Sequence, residues 1–547
     1  MPRSHWPALV LLLLSQAAGA AQSDLRRDWP AQIPSGPELE AAGAVIGRID
    51  IAPSDIFDPS IPGESGWLYR TANRLHMNTR ESILRDQLLF KTGDRYVQRV
   101  VEETERILRG NDYLYDAVVV PTAWDGHTVD LRVRTRDTWT LNPGINFSRQ
   151  GGANETAIEV EEKNLLGRGK KLAFGWSNNV DRESIDFDYF DPHFNEAWTQ
   201  VGVTYSDAND GSTQALRVDR PFYSLDTRHA GGVHLFGSER DVPRYAYGHE
   251  IGKFEQRKEF YEVLGGWSPG WQAGWVRRWT VGATYDDNAF QPVVDEPLAG
   301  PLPEDRKLVY PWLGFDLLQD VYQRRTNQDQ IERTEDVLVG LHLGGRVGYA
   351  AEAIGADRDA LILSAYAQNG WDLRPGDSLF LTALASGRVE SAGLRNAVLS
   401  AEARYYARTS RRTKFFATMN GTVTDQLDGD QQLTLGGDTG LRGYPLRYQA
   451  GTASALLTLE QRYYTNWYPW RLFHVAGAVF FDMGRTWGTD VTGATSDGLL
   501  KDIGLGLRLG SSRAAFGNVV HINLAFPLDG GNDIDSVQFI VETKDRF

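Results

Sequence analysis

Four charged residues in the last quarter of the chain have the types and spacing to form a buried ion-pair network. Arg442 lies in a glycine-rich segment, Glu460 and Arg462 follow about twenty residues later, and Asp482 lies about twenty residues further on. An arginine binds a carboxylate through two parallel hydrogen bonds, and the pair is strong where water is excluded. We therefore predict that these residues hold a long loop in place. The alternative is an ordinary turn arginine and a solvated aspartate.

One segment has a pattern found in hydrolases, because residues 266–270 (Gly-Trp-Ser-Pro-Gly) fit G-x-S-x-G. That chemistry needs the serine on a sharp strand-to-helix turn, with a histidine base behind it. Here strand-like stretches lie on both sides of Ser268, which favours a turn in β-structure. A barrel hydrolase using His193, His249 or Ser268 is the less favoured alternative. Because the ten histidines show no metal-binding spacing, we predict a non-enzyme with no catalytic residue, metal or cofactor.

Alternating segments are the elements that must position the charged residues. From about Thr138 to Phe547 the chain consists of roughly ten-residue stretches separated by Gly, Asp, Asn and Pro turns. Within residues 475–484, Phe480 and Asp482 share a face with small residues, and the other face is apolar. The later segments repeat this contrast. The pattern predicts one lipid face and one lumen face, with Phe480 and Asp482 directed into the lumen.

The overall composition is typical of such a barrel. Mean hydropathy is -0.39, yet the chain carries 56 Gly, 16 Trp, 22 Tyr and 23 Phe. Chains that alternate between lipid and lumen combine these properties. Beyond residue 20, no apolar segment approaches the roughly 20 residues that a spanning helix needs. We therefore predict a transmembrane antiparallel β-barrel over residues 137–547, with the aromatic turn at 463–470 in the headgroup zone. A soluble β-sandwich is the alternative.

The first twenty residues have the pattern of a secretory signal peptide. Arg3 precedes an apolar run from Pro7 to Leu14, and the small residues 18–20 suit cleavage. Residues 21–42 are rich in Pro, Ala and Gly and are predicted to form a linker. The chain has no Cys, so no lipoprotein anchor is expected. Its net charge of -15 argues against nucleic acid as a partner.

A small α+β domain is predicted in front of the barrel. A strand at Ala44–Ile51 is followed by two helical patterns, one at Thr79–Phe90 and one that begins with Asp94 as its N-cap. A β-hairpin follows, with strands Tyr113–Val120 and Thr128–Val133. This order predicts one helical layer on one sheet. With its Gly-Asn-Asp-Tyr-Leu-Tyr turn, the domain resembles the polypeptide-transport-associated (POTRA) domain. An unrelated small α+β domain is the alternative.

Two longer motifs resemble signatures of the bacterial surface antigen superfamily, which contains the outer-membrane insertase and the two-partner-secretion transporters. Residues 436–445 are similar to its loop with an Arg-Gly-aromatic tip, and residues 480–484 are similar to its F-x-D-x-G strand motif. The resemblance implies that the tip folds into the lumen and meets that motif and an E-x-R pair. It also implies about 16 strands, although the segments themselves number nearer 20, and a C-terminal assembly signal. The residues concerned are Arg442, Gly443, Tyr444, Glu460, Arg462, Phe480, Asp482, Gly484 and, for the signal, Phe547.

The resemblance implies a protein that translocates or inserts polypeptides at the outer membrane of a Gram-negative-type bacterium. The POTRA-like domain, residues 43–136, would lie in the periplasm and receive an unfolded client by strand addition. The implied partners are that polypeptide client, outer-membrane lipid and the barrel assembly machinery. One such domain is fewer than these transporters usually carry. A passive pore and a surface antigen or receptor are the alternatives from other functional classes.

Overall fold

The computed structural model describes residues 29–544 apart from 62, 196, 497, 516–518 and 532. The predicted signal peptide, the first part of the predicted linker and Phe547 lie outside the described residues. The described chain forms a small N-terminal α+β domain followed by a large β-barrel. None of the described helices is long and apolar enough to cross a membrane.

The N-terminal domain is a three-stranded sheet with helices packed against it. Its elements are α1 (Gly36–Ala41), β1 (Val45–Ser54), α2 (Trp67–Leu75), α3 (Glu81–Asp86), α4 (Gln98–Arg109), β2 (Leu114–Trp124) and β3 (Thr128–Asp137). The central strand β3 pairs in parallel with β1 and antiparallel with β2. Leu39, Leu84, Leu108 and Val133 lie in the shared apolar core. The predicted hairpin is therefore present, with both strands longer than expected.

The prediction that Asp94 caps the second helix is wrong. Asp94 instead accepts a hydrogen bond from Lys91 N at 2.9 Å within a turn, and α4 begins only at Gln98. The backbone of residues 93–96 bonds to the edge of β1: Ile46 N donates to Asp94 O at 2.8 Å, and Arg95 forms a bridge with Val45. This pairing takes backbone groups that an earlier helix start would have used.

The prediction of a linker up to residue 42 is wrong over its described part. Ile33 and Leu39 are buried in the domain core, and Trp29 Nε1 donates to Pro34 O at 3.0 Å. The segment therefore belongs to the N-terminal domain, because its apolar side chains complete the core. A second difference is α2, which forms in a stretch predicted to be a loop.

Twenty strands of the described chain form a closed antiparallel barrel in which neighbours in sequence are neighbours in the sheet. The first ten, with the short β12 that continues β11, are β4 (Leu141–Gln150), β5 (Ala153–Glu162), β6 (Lys171–Asn178), β7 (Glu183–Phe194), β8 (Thr199–Ala208), β9 (Gly211–Arg220), β10 (His229–Ala246), β11 (His249–Trp267), β12 (Trp271–Gln272), β13 (Trp275–Pro292) and β14 (Arg306–Gln319).

The second half of the chain also contains two pairs of short strands that are not part of the barrel wall. In chain order the strands are β15 (Tyr322–Thr326), β16 (Thr334–Leu338), β17 (His342–Ala350), β18 (Ala360–Arg374), β19 (Asp377–Glu390), β20 (Gly393–Arg408), β21 (Thr413–Asp425), β22 (Leu433–Leu435), β23 (Gln449–Gly451), β24 (Ala453–Tyr464), β25 (Phe473–Trp487), β26 (Leu500–Ser511), β27 (Val519–Pro527) and β28 (Gln538–Lys544). The two pairs that form separate small sheets are β15 with β16 and β22 with β23.

The strand number of 16 that the resemblance implied is wrong, and the direct count of segments was nearer. Several connections are two-residue turns, such as residues 151–152 and 391–392. Short turns of this kind are the common way to join antiparallel neighbours. They leave enough chain for four more strands than expected.

Burial of the side chains confirms the predicted alternation. On β26, Leu505 and Leu507 are exposed on the outer surface, whereas Arg508 is fully buried on the inside. On β25, Val479 is exposed and Phe480 is buried. Successive side chains of a strand point to opposite faces, so a wall with a lipid side and a lumen side produces this period of two.

The connections between strands alternate between the two ends of the barrel. We call the end at which β4 follows β3 the N-domain end, and the opposite one the far end. Residues 320–341 join β14 to β17 at the N-domain end and contain β15 and β16; we call them the proximal hairpin. Residues 426–452 join β21 to β24 at the far end and contain β22 and β23; we call them the lumen loop.

Candidate functional site in the barrel lumen

The lumen loop folds back into the barrel from the far end. Leu441 and Tyr444 of the loop pack against Leu456 and Leu500 of the wall in one apolar cluster. Gly440 has a φ of 116°, where a side chain would strain the backbone. The chain can therefore reverse at Gly440 and turn its tip toward the wall.

Arg442 is the main polar contact between the loop tip and the wall. Its Nε and Nη2 atoms donate to the two oxygens of Asp482 at 2.6 and 2.9 Å, and its Nη1 donates to Glu460 at 3.0 Å. The guanidinium carbon lies 3.4 Å from the centroid of the Phe480 ring. Burial alone lowers the pKa of Arg442, but the charges of Asp482 and Glu460 raise it above its ordinary value. Arg442 is therefore a buried, fully paired cation.

Glu460 connects three arginines on the inner surface. Arg462 Nε donates to its Oε1 at 2.9 Å, and Arg508 Nη2 donates to its Oε2 at 2.8 Å, beside Arg442. Arg508 also donates to Asn523 at 2.6 Å. Arg508 was not predicted as a site residue, although a charged residue among the glycines of β26 was the available signal. The structure thus brings Arg442, Glu460, Arg462 and Asp482 together and adds Arg508.

Gly443 and Tyr444 attach the tip to β26. Gly443 N donates to Asp502 at 3.0 Å, and a Cβ on Gly443 would lie 2.6 Å from the Cβ of Asp502. Tyr444 Oη lies 2.7 Å from Lys501 O and 2.9 Å from Asp529 O. A larger residue than glycine therefore cannot enter at position 443 without displacing the loop. Asp502, like Arg508, was missed in the sequence.

Two further contacts hold the body of the lumen loop. A Cβ on Gly484 would lie 3.0 Å from Leu435, so the absent side chain lets the loop lie directly against β25. Near the far end, Arg447 donates to both oxygens of Asp181 at 2.7 Å each. The loop is thus attached both to β25 and to the turn between β6 and β7.

The proximal hairpin enters the lumen from the N-domain end and touches the same wall. Arg462 Nη1 donates to Gln328 O at 3.3 Å, and Tyr406 Oη donates to Asp329 at 2.6 Å. Ile331 is buried in an apolar cluster with residues of β24, β25 and β27. Since Arg462 also binds Glu460, the hairpin and the lumen loop are connected through one pair of wall residues. The hairpin was not predicted; its dense charges on both strand faces were a possible signal.

Glu335 orders the tip of the proximal hairpin. Its carboxylate accepts hydrogen bonds from Gln328 N at 2.8 Å and Asp329 N at 2.7 Å. Burial, with a smaller contribution from the charge of Asp329, raises the pKa of Glu335 to about 7. The side chain can therefore change its protonation state near neutral pH.

The second strand of the proximal hairpin and the turn before it contact the N-terminal domain. Arg109 of α4 donates to both oxygens of Asp336 at 2.7 and 2.8 Å, and to Ala117 O at 2.7 Å. Tyr115 Oη donates to Glu332 O at 2.8 Å. These bonds join the domain to a segment inside the barrel.

The hairpin also helps to cover the outer edge of β2. Glu105 accepts a hydrogen bond from Val119 N at 2.7 Å and forms an ion pair with Arg324 of the hairpin. Arg333 of the hairpin donates to Leu114 O at 3.0 Å. Backbone groups of β2 that face away from β3 are therefore occupied by side chains rather than by another strand.

A cavity of about 910 Å³ lies between α4, the proximal hairpin and the wall. Arg106, Tyr322 and His342 are among its lining residues. The cavity is polar and lies where the N-terminal domain meets the lumen. It forms a vestibule at the N-domain end.

The residues considered for hydrolase chemistry are not brought together. Ser268 is buried in a turn between two strands, where its Oγ accepts a hydrogen bond from Gly270 N at 3.0 Å. His193 lies near the end of β7 at the N-domain end, and His249 begins β11 at the far end. No group of three or more potential metal ligands was found among the residues that the structure describes.

The seam between the first and last barrel strands is narrow. Over the described residues, β28 pairs with β4 only at Val541 with Arg149, and Gln150 Nε2 donates to Glu542 at 2.9 Å. The neighbouring pair β27 and β28 is aligned over the whole of 519–525. Fewer backbone bonds close the barrel here than elsewhere.

The structure is similar to several solved outer-membrane barrels. BamA from Haemophilus ducreyi lacking POTRA domains 1–3 has a TM-score of 0.38 and 12% identity, over 91% of this chain and 84% of that one. CdiB from Escherichia coli has a TM-score of 0.47 and 12% identity, over 92% of this chain and 76% of that one. CdiB from Acinetobacter baumannii has a TM-score of 0.44 and 12% identity, over 91% of this chain and 73% of that one. No protein-family model and no curated protein sequence matches this chain.

Proposed function

We propose that this chain is a polypeptide transporter or insertase whose barrel spans the outer membrane. The observation that carries the proposal is the pairing of Arg442, on a loop inside the lumen, with Asp482 and Glu460 of the wall. A transporter must keep its lumen closed between clients, whereas a passive pore needs no internal closure. Here one segment enters from each end, and the two meet through Glu460 and Arg462.

The N-terminal domain is proposed to be a POTRA-like periplasmic domain that binds the client. The outer edge of β2 is the proposed binding site, because an unfolded chain can add to it as a strand. A client strand there would replace the side chains of Glu105 and Arg333. That exchange would release the proximal hairpin from the N-terminal domain and open the vestibule.

Two routes are available to the client beyond the vestibule. A transporter would pass it through the lumen, which requires the loop carrying Arg442 to leave the wall. An insertase would admit it at the narrow seam between β28 and β4. The lumen contacts favour the first route, since they form a closure that only lumen passage needs.

In-cell photo-crosslinking of the full chain tests the client-binding edge. A photoreactive residue replaces Thr122, which is exposed at the end of β2, and the control replaces His127 in the turn beyond the edge. We expect polypeptide capture at position 122 well above position 127. One dominant secreted protein identifies a transporter, and many barrel proteins identify an insertase. Equal capture at both positions, or none, contradicts the proposal.

Conductance in planar bilayers tests the closure and separates the proposal from a passive pore. The full chain is expected to conduct little, because both segments fill the lumen. A pore would conduct at once, and deleting residues 42–136 would not change its conductance. A surface antigen would depend on its far-end loops and be indifferent to Arg442.

A further inference from the structure

One face of α2 is unusually apolar for an exposed helix. Trp67 and Leu75 are 72% and 71% exposed, and Leu68 is half-exposed on the same side. At 100° per residue these side chains fall within one stripe, bordered by Arg70 and Arg74. No described part of the chain covers this stripe. Together the three apolar side chains form an exposed patch, and Met77, two residues after the helix, is also exposed.

The opposite face of α2 is fixed to the rim of the barrel. Tyr69 Oη donates to Trp470 O at 3.1 Å, and the Tyr69 ring packs on Phe57 with centroids 4.8 Å apart. Asn73 exchanges hydrogen bonds with the backbone of Phe57 at 2.7 and 3.1 Å. Because these contacts reach Trp470, the helix lies beside the turn 465–472 at the N-domain end.

That turn carries exposed aromatic residues of its own. Trp467 is 63% and Trp470 is 70% exposed, and both lie at the edge of the apolar outer surface that includes Val479. Tryptophan is enriched where a barrel wall meets the headgroups. Through the contact of Tyr69 with Trp470, α2 is therefore held beside this aromatic turn at the rim, with its apolar stripe uncovered.

We propose that α2 lies in the headgroup region of the adjacent leaflet, so that lipid covers Trp67, Leu68 and Leu75. Helices of this kind combine a Trp- and Leu-bearing face with Arg at its borders, and they bind anionic lipid more strongly than neutral lipid. The lipid surface is the occupant that continuity with the barrel rim favours over a soluble partner. The inference rests on the membrane location of the barrel but not on any client.

Depth-dependent fluorescence quenching tests the inference on the full chain in phosphatidylcholine–phosphatidylglycerol vesicles. The chain has no Cys, so T71C takes a single environment-sensitive dye on the α2 stripe, and H127C takes the same dye on the far hairpin turn. We expect nitroxides near the lipid headgroup to quench the dye at position 71 several-fold more than at position 127. Equal, weak quenching at both positions would show that water or a protein covers α2, and would overturn the inference.

Two variants show whether the stripe itself makes the contact. W67S with L75S should reduce quenching at position 71 several-fold, while heat-modifiable migration on gels reports that the barrel is still folded. R70E with R74E should reduce quenching in vesicles containing phosphatidylglycerol but change it little in phosphatidylcholine alone. Unchanged quenching in the W67S and L75S variant contradicts the inference. If a variant loses client capture at position 122 but the dye at position 71 is quenched normally, the result contradicts the proposed function and leaves the lipid contact of α2 supported.

Discussion

Each charged residue of the lumen network has a partner of opposite charge. These ion pairs are buried, so removing one member leaves an uncompensated charge in a buried place. Such a loss costs far more than the loss of a surface ion pair. The members are Arg442, Arg462, Arg508, Glu460 and Asp482.

Replacing Arg442 by Ala is expected to detach the lumen loop. The change leaves Asp482 and Glu460 without their shared cation and should cost about 3–5 kcal/mol of docking free energy. Protease cleavage within residues 426–452 of the folded barrel measures the detachment. Arg447→Ala is the matched control, because its partner Asp181 is more exposed and its loss should cost at most about 1 kcal/mol. Equal cleavage of the two variants would contradict the prediction.

Docking of the proximal hairpin is expected to weaken as pH rises. The docked pKa of Glu335 is about 7, above its ordinary value of 4.5, so the docked state holds the proton more tightly. The stabilisation is therefore complete below about pH 4.5 and is lost as pH rises through about 7. Of the neighbouring charges, Asp329 adds to the raised pKa, and Lys414 opposes it.

Hydrogen exchange of the hairpin, corrected for intrinsic rates, measures this pH dependence. Exchange of residues 322–338 should be slower at pH 5 than at pH 8 by more than the correction explains. Glu335→Gln keeps a neutral, isosteric side chain and should remove most of the difference. A variant with the same pH profile as the parent chain would show that another group is responsible.

The proximal hairpin is an element held from both sides. Its tip bonds to the wall at Arg462 and Tyr406, and Asp336 in its second strand bonds to Arg109 of α4. Two short strands held only by such contacts are marginally stable alone. We therefore expect the hairpin to leave the lumen without unfolding the barrel, as the proposed closure requires.

Replacing residues 322–338 by a short turn should raise conductance in planar bilayers. The shortened connection still joins β14 to β17, while the obstruction at the N-domain end is gone. The barrel should keep its heat-modifiable migration. Asp336→Ala, which frees Arg109 but keeps the hairpin, is the milder variant and should give brief rather than sustained openings. Conductance unchanged in the shortened chain would mean that the lumen loop closes the barrel unaided.

Among the residues that the structure describes, β4 and β28 close the barrel through a single residue pair, Arg149 with Val541. A disulfide between Arg149→Cys and Val541→Cys would join β4 and β28, because directly paired residues lie within disulfide reach. The parent chain has no Cys, so no other disulfide competes. If the seam admits clients, oxidation should stop client insertion and reduction should restore it. If clients use the lumen, transport should continue in the oxidised form; a matched pair across β27 and β28, Leu524→Cys with Phe539→Cys, is the control.

The sequence by itself determined the barrel class and the two faces of its wall. Alternation with period two is a local property, so it identifies inward residues such as Asp482 without knowledge of their partners. It also indicated the small sheet and hairpin of the N-terminal domain. The helix start at Gln98 could not be predicted, because the backbone of residues 93–96 bonds to the edge of β1, which is distant in sequence.

Only the tertiary structure decided which segments meet inside the barrel. The number of strands depends on how many residues each turn uses. The contact of Arg508 with Glu460 forms only when the wall closes. The inward fold of the proximal hairpin rests on contacts between distant parts of the chain, such as Arg109 with Asp336, which are 227 residues apart. Local pattern contains no information about such pairs, since they form only when the barrel and the domain come together.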